Sequence, residues 1–570
     1  MKRFWIILGT LAVMSIGFLM AVGHFINSFE TAAVGDGGVL YWTVGGGYQE
    51  TRDDRPLTRI FQSVSPLQRE MVMALEAAAS DEDIEGLFLE IHALPSSWAQ
   101  IQELSSAVRG FSAAGKPVHA WMAGGGNREY GIALAADAIT LAPEGILAVP
   151  GLRVEMTFVA GTLEKIGMKA DYVHVGRYKS APETYERTEP SAESREMIGA
   201  ILDDQYDDWL DTMILSRGWD RDHAIGVIDR GLFDAEASIS NRLIDHVDYL
   251  QETLDSVFPF AETVDLEGYA LKRASEHKGV PVAFIPIVGT IVDGESSSGG
   301  WGGKTAGSLT VIDLLQACYD DDEIEAVVLR IDSPGGSALA SDLIWNEVIA
   351  LGQIKPVVVS MSGTAASGGY YVACAAESIF AQPGTLTGSI GVFAGKFARD
   401  DLYRKIGVTR TIETRGRNAD LFGDQGVFSS EQREIIQVQL DSFYGRFVTK
   451  VADGRGMTFG AIDSISQGRV WTGTQARNNG LVDGLGGLPR ALASIRSLLD
   501  LPPDQRIRLV SFERQPGWIE RMLARTLEQP STTSVLPLAA LIPGADLPLP
   551  WLTLLDGRPL TLCPVEIDFH

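Results

Sequence analysis

The sequence predicts an α/β protein built from two tandem copies of one domain, each around a parallel sheet, behind a single apolar N-terminal segment. Three observations carry this reading. Blocks of sequence recur about 240 residues apart; each copy alternates β-branched apolar runs with helical stretches; and the first 25 residues contain a long run without charge. Alternation of this kind implies parallel strands joined by right-handed crossovers.

The chain begins MKRFWIILGTLAVMSIGFLMAVGHF, with Lys2 and Arg3 ahead of the uncharged run. At ~1.5 Å rise per residue, about twenty apolar residues span a ~30 Å hydrocarbon core. Residues 1–26 therefore read as a retained anchor with its basic end in the cytoplasm and the rest of the chain on the outer face. A cleaved signal peptide is the competing reading, but the run is long for one and no clean small-x-small site follows. The rest of the chain has no comparable stretch.

The repeat fixes the body. Asp83–Ile91, DIEGLFLEI, recurs as EIEAVVLRI at residues 323–331, both patterned as buried strands. Lys116-Pro117-Val118 answers Lys355-Pro356-Val357, Tyr130 answers Tyr370, and Leu243-Ile244-Asp245 answers Leu481-Val482-Asp483. The first copy covers 27–255, residues 256–281 link the two, and the second copy covers 282–500. Residues 501–570 form a Pro- and Leu-rich tail of unassigned role.

Composition narrows the function. A formal net charge of −27 excludes a nucleic-acid partner, since phosphate binding needs a basic surface. Cys318, Cys374 and Cys563 lack CxxC spacing, so neither a zinc site nor a disulfide framework is expected. No cofactor motif is present.

Chemistry is expected where the copies differ. Val357-Val358-Val359 leads through Ser362-Gly363-Thr364-Ala365-Ala366-Ser367-Gly368-Gly369 into a small-residue helix, a strand, tight turn and helix start. Ser367 sits at that turn, where the following backbone N–H groups are free to receive an oxyanion. An isolated Ala-Ser-Gly-Gly would be an ordinary N-cap. Its counterpart in the first copy is Asn127, so only the second copy keeps the hydroxyl. The turn Asp332-Ser333-Pro334-Gly335-Gly336-Ser337 likewise has no glycines in the first copy, which reads His92-Ala93-Leu94-Pro95-Ser96. Gly335 or Gly336 is thus the natural second donor beside Gly368.

The serine needs a base. The second copy has no histidine before its C-terminal end, although spacing leaves a first-copy histidine open. Lysine is the other candidate. The first copy offers Val175-Gly176-Arg177-Tyr178-Lys179-Ser180-Ala181, and Ala419 takes the place of Lys179 in the second copy. One copy keeps a serine and the other a lysine.

The motifs Tyr178-Lys179-Ser180-Ala181, Ser333-Pro334-Gly335-Gly336-Ser337, Ala365-Ala366-Ser367-Gly368-Gly369-Tyr370 and Thr385-Leu386-Thr387-Gly388-Ser389-Ile390-Gly391 resemble those of peptidase family S49, in its long, duplicated signal peptide peptidase A form. The resemblance spans residues 1–500 and implies tandem ClpP/crotonase-like domains. It implies Ser367 as nucleophile, Lys179 as general base, Ser389 as the hydroxyl that orients the lysine, and Gly335 and Gly368 as oxyanion donors. It also implies peptide substrates left from cleaved signal peptides, no cofactor, the outer face of a bacterial cytoplasmic membrane, and a homotetramer with dyads shared across protomers. Asp332 departs from the family, which often has Asn there. Two rival readings remain, a crotonase-type acyl-CoA enzyme on the same superfold and a catalytically inactive membrane scaffold.

A free lysine has a pKa of ~10.4, so at neutral pH less than ~0.1% is base-competent amine. Burial disfavours the ammonium and can lower that value by up to ~3–5 units. Lys179 is therefore expected to be buried against Ser367.

Overall fold

A computed structural model of the 570-residue chain describes residues 38–52, 67–274, 278–297, 303–502, 505–512 and 560–562. The expected anchor, residues 1–26, lies outside the described residues. Among the described residues no helix is long and apolar enough to cross a membrane.

Two parallel sheets with the same strand order form the body. The first runs His246–Val247, Ala138–Leu141, Val118–Met122, Ile84–Ile91, Gly38–Val44, Thr263–Asp265. The second, of eight strands, carries Gly484–Leu485, Ser378–Ala381, Val357–Ala366, Ala326–Ser333, Val280–Val288 and Ile507–Ser511 in that order, while Leu386–Gly388 pairs with the end of Val357–Ala366 and, antiparallel, with Val470–Thr472. The central strands are almost wholly buried, as continuous apolar runs demand when helices cover both faces. One joint recurs in both copies. Arg217 forks onto both carboxylate oxygens of Asp245 at 2.9 Å, and Arg455 does the same to Asp483 at 2.9 and 2.6 Å. These carboxylates also accept the backbone N–H of Ile139 and Ile379 at 2.8 Å.

Two stretches are more structured than their composition suggests. Within 256–281, expected to link the copies, Thr263–Asp265 is the edge strand of the first sheet. Helix Leu266–Ala274 follows it, and Tyr269 Oη donates to Asp81 Oδ2 at 2.8 Å. In the expected tail, Ile507–Ser511 pairs with Val280–Val288 as the matching edge of the second sheet.

A third sheet joins the copies. Its order is Thr305–Gly307, Thr290–Val292, Gly335–Ser337, Leu560–Leu562, Val392–Ala398, Lys169–Val175. The last pair is antiparallel over seven residues, from Val392 opposite Val175 to Ala398 opposite Lys169. Because Lys179 follows Val175 and Ser389 precedes Val392, both lie just beyond the same end of this ladder, and the register itself brings them together.

Beneath the sheets the copies share a buried ionic cluster. Arg330, on strand Ala326–Ser333, reaches Glu50 through Nε and Nη2 at 3.0 and 2.9 Å and Glu103 through Nη1 and Nη2 at 3.0 and 2.6 Å. Ser360 Oγ and Ser362 Oγ join it, the former accepting from Arg330 at 2.8 Å and the latter donating to Glu50 at 2.5 Å. Burial pushes the Glu50 carboxyl up, but the Arg330 guanidinium and the hydrogen bonds from Ser362 and Gln100 together outweigh this and hold it below the usual carboxylate range.

Candidate active site

The strand Val357–Ala366 delivers Ser367 to the start of helix Gly368–Ala373. Ser367 has φ 54° and ψ −111°, and Ser389 has φ 52°. Left-handed backbone is uncommon for residues other than glycine, and such conformations persist where the surroundings over-determine them, typically at functional sites. The surroundings here are explicit: Ser367 N–H donates to Gly388 O and Ser389 N–H to Arg469 O, both at 2.7 Å.

Lys179 Nζ donates to Ser367 Oγ at 2.7 Å, and to Ser389 Oγ and Ser389 O at 3.0 Å each. Lys179 is 1% exposed and both serines 0%. These three oxygen partners are neutral. The lysine comes from the first copy and both serines from the second, within one chain. The expectation that the pair would form between protomers is thereby corrected, because the seven-residue ladder between Lys169–Val175 and Val392–Ala398 closes the site in cis. Nor does a first-copy histidine occupy the base position. His92 bonds Glu90, His119 bonds Thr140, and His174 bonds Gly176 O.

Gly368 is the first residue of its helix, so its N–H belongs to the turn that lacks intrahelical acceptors. Gly335, at φ 97°, donates its N–H to Ser333 Oγ at 3.1 Å, so a carbonyl oxygen arriving there competes with that hydroxyl. The two turns touch: a Cβ on Gly369 would lie 2.9 Å from Ser333 O. Asn127, the first-copy counterpart of Ser367, donates Nδ2 to Gly151 O at 2.8 Å and serves the fold of its own copy.

Sequence reasoning missed the loop Gln467–Arg469, which holds the lysine in place. Gln467 O accepts from Tyr178 N–H at 2.8 Å, and Gly468 N–H donates to Ile390 O at 2.8 Å. With Arg469 O on Ser389 N–H, the loop splints the lysine turn to the Ser389 turn. Gly468 has φ 77°, and a Cβ there would lie 2.6 Å from Lys179 Cβ and N. The copies carried a signal: the neighbouring strands Leu232–Asp234 and Val470–Thr472 align, which sets Gly468 against Arg230. Gly468→Ala should therefore lower kcat/KM about a hundredfold, the scale of a ~1 Å misplacement, with an unchanged circular dichroism spectrum.

Asp332, half-buried beside the glycine turn, accepts Thr364 N–H on Oδ1 at 3.0 Å. Burial first and the Glu50 carboxylate second raise its pKa from 3.8 to about 6, against the Thr364 N–H and the charges of Arg330 and Lys304. The folded chain thus favours the acid. That contribution is complete below pH 3.8 and is lost as pH rises through about 6. Asp332→Asn, which keeps an acceptor for Thr364, should stabilise the protein at pH 8 by about 1–2 kcal/mol after solvent screening and leave it unchanged at pH 3, as read by denaturant titration.

The peptidase family S49 model matches residues 110–259 and again 350–501, together more than half of the chain. The chain belongs to peptidase family S49. S49 relatives span most of it. The chloroplastic serine protease SPPA of Arabidopsis thaliana is 33% identical over 77% of this chain and 66% of its own length. Protease 4 of Haemophilus influenzae is 30% identical over 78% of this chain and 75% of its own, and Protease 4 of Salmonella typhi is 31% identical over 86% and 82%. This S49 protein is a serine protease with a mixed α/β fold in which two parallel sheets share one strand order.

Proposed function

We propose that this protein is a membrane-anchored endopeptidase that cuts signal-peptide remnants and other small apolar peptides with a Ser367/Lys179 dyad. The observation that carries the reading is Lys179 Nζ at 2.7 Å from Ser367 Oγ, inside a site closed to solvent. Burial among neutral oxygens favours the uncharged amine, the form able to accept a proton. The amine takes the Ser367 proton as Oγ bonds to the peptide carbonyl carbon, and the carbonyl electron pair moves to oxygen. N–H groups of Gly368 and, once Ser333 Oγ gives way, Gly335 hold that oxyanion. When the intermediate collapses, the C–N bond breaks and the departing amine takes the proton from Lys179. Water, activated by the same amine, then hydrolyses the ester and frees Ser367. Ser389 keeps Nζ aimed at Oγ throughout.

Residues 1–26 supply the anchor in this reading. They place the body at the outer face of the cytoplasmic membrane, where apolar peptides are released, and the body assembles as a homotetramer. The test is a serine-directed acylating probe combined with hydrolysis of a signal-peptide-like fluorogenic peptide by detergent-solubilised protein. Labelling mapped to Ser367 together with turnover is the expected result. An inert protein would mean a scaffold, and binding of acyl-CoA esters without peptide turnover would mean a crotonase-type enzyme.

A further inference from the structure

The main chain of Arg469 fixes the Ser389 turn, and its side chain reaches the other half of the site. The guanidinium lies 4.8 Å from the ring centre of Tyr178, the residue before Lys179, and 4.6 Å from that of Trp471. Its Nη1 donates to Glu196 Oε1 at 2.7 Å, and Tyr178 Oη donates to the same oxygen at 2.9 Å. Glu196 belongs to the first-copy helix Ala192–Arg217, whereas Arg469 belongs to the second copy. Tyr178, Arg469 and Glu196 thus close a ring of three side chains across the seam between the copies.

The main chain of Tyr178 is held as well. Its N–H donates to Gln467 O at 2.8 Å, and its carbonyl accepts Ser180 N–H at 2.8 Å. The side chain is 3% exposed and packs in one cluster with Met197, Ile201, Val470 and Ala366, the residue before Ser367. A displacement of Tyr178 therefore carries the Lys179 backbone with it and disturbs the strand that delivers the nucleophile.

The ion pair alone does not account for this arrangement, because Glu196 is largely exposed and such pairs are worth little. Arg469 is mostly enclosed and lies over two aromatic rings, where a planar guanidinium makes face contacts that an ammonium does not. The copies add an independent sign. Aligning Leu232–Asp234 with Val470–Thr472 sets Arg469 against Gly231, and the shift that sets Lys179 against Ala419 sets Tyr178 against Asn418. Tyrosine and arginine, like the lysine and the serine, each lack a like residue in the other copy.

We propose that the Arg469 side chain is a positioning residue of the reaction, clamping Tyr178 so that Lys179 Nζ stays aimed at Ser367 Oγ. The inference rests on the Ser367/Lys179 reading of the site. Arg177 lies 4.7 Å from the same tyrosine ring but belongs to the same turn, so it restrains the ring without tying it to the second copy.

The test uses the detergent-solubilised full chain, a signal-peptide-like fluorogenic peptide and a serine-directed acylating probe. Arg469→Met should lower kcat and the rate of Ser367 labelling about tenfold with KM within about twofold, since the aim of the base acts on the transition state and not on ground-state binding. Arg469→Lys keeps the charge without the flat face and should fall between the two, and it carries the test if the methionine chain does not fold by circular dichroism. Tyr178→Leu should also lower kcat about tenfold. The double variant separates a clamp from a general loss of packing. If Arg469 acts through Tyr178, the double variant should be within about twofold of Tyr178→Leu, whereas independent effects multiply to about a hundredfold. Unchanged kcat, a rise in KM alone, or multiplying effects overturn the proposal. Lys179→Met is scored alongside. If it retains turnover, the dyad assignment falls; if it is inactive while Arg469→Met is fully active, the clamp alone falls.

Discussion

Lys179→Met should lower peptide hydrolysis at least about a thousandfold while the chain remains folded. Methionine fills a volume close to that of lysine, so packing is largely retained. What disappears is the amine that donates to both Ser367 Oγ and Ser389 Oγ. General-base assistance supplies ~10²–10⁴-fold, and the upper part of that range applies where the serine has no second base at hand. Lys179→Arg should fail equally, because a guanidinium does not give up its proton at accessible pH. The decisive measurement is a mixture of Lys179→Met and Ser367→Ala chains. Since Lys179 and Ser367 of one chain meet at 2.7 Å, the mixture should stay as inactive as its parts. Recovery after subunit exchange would show that chains trade halves of the site.

Arg330→Met should be the most destabilising substitution in the body, by about 3–5 kcal/mol, as is typical when one partner of a buried ion pair is removed. Arg330 is 3% exposed at its side chain, and Glu50 and Glu103 are each 2%. Taking away the guanidinium leaves two enclosed carboxylates facing one another. Glu103 retains Leu488 N–H at 2.6 Å and Glu50 retains Ser362 Oγ, which compensates only in part. Urea unfolding at pH 7 should show the loss, and adding Glu50→Gln and Glu103→Gln should restore much of it. A loss below about 1 kcal/mol would mean that water reaches the cluster. Strand Ala326–Ser333 also carries Arg330 toward the glycine turn, so activity should fall before global unfolding does.

Much of this molecule was legible in its sequence because duplication wrote it twice. The strands at residues 84–91 and 326–333 follow from apolar runs that a two-sided burial requires. Ser367 and Lys179 stood out because each survives where its counterpart does not. The geometry adds what local patterns cannot carry. Gly468 looks like any turn glycine until the approach of Lys179 is known. Arg330 lies 280 residues from Glu50 and 227 from Glu103, and nothing in a lone arginine within a strand announces such partners. Leu560–Leu562 sits in a Pro- and Leu-rich stretch with no periodicity, and it becomes a strand only because two edges await it. The pairing of the dyad in cis was likewise invisible, since complementary losses fit contact within a chain as well as between chains.

The antiparallel seam between the copies also imposes an order in time. A ribosome makes Lys179 188 residues before Ser367, and the seam that brings them together needs residue 398. The splint at Gln467–Arg469 comes later still. An unfinished chain therefore holds a lysine without a target, and then a serine without a fixed base. Proteolytic competence arrives only once residue 469 has been made, so the machinery that synthesises this protease handles it in a harmless form.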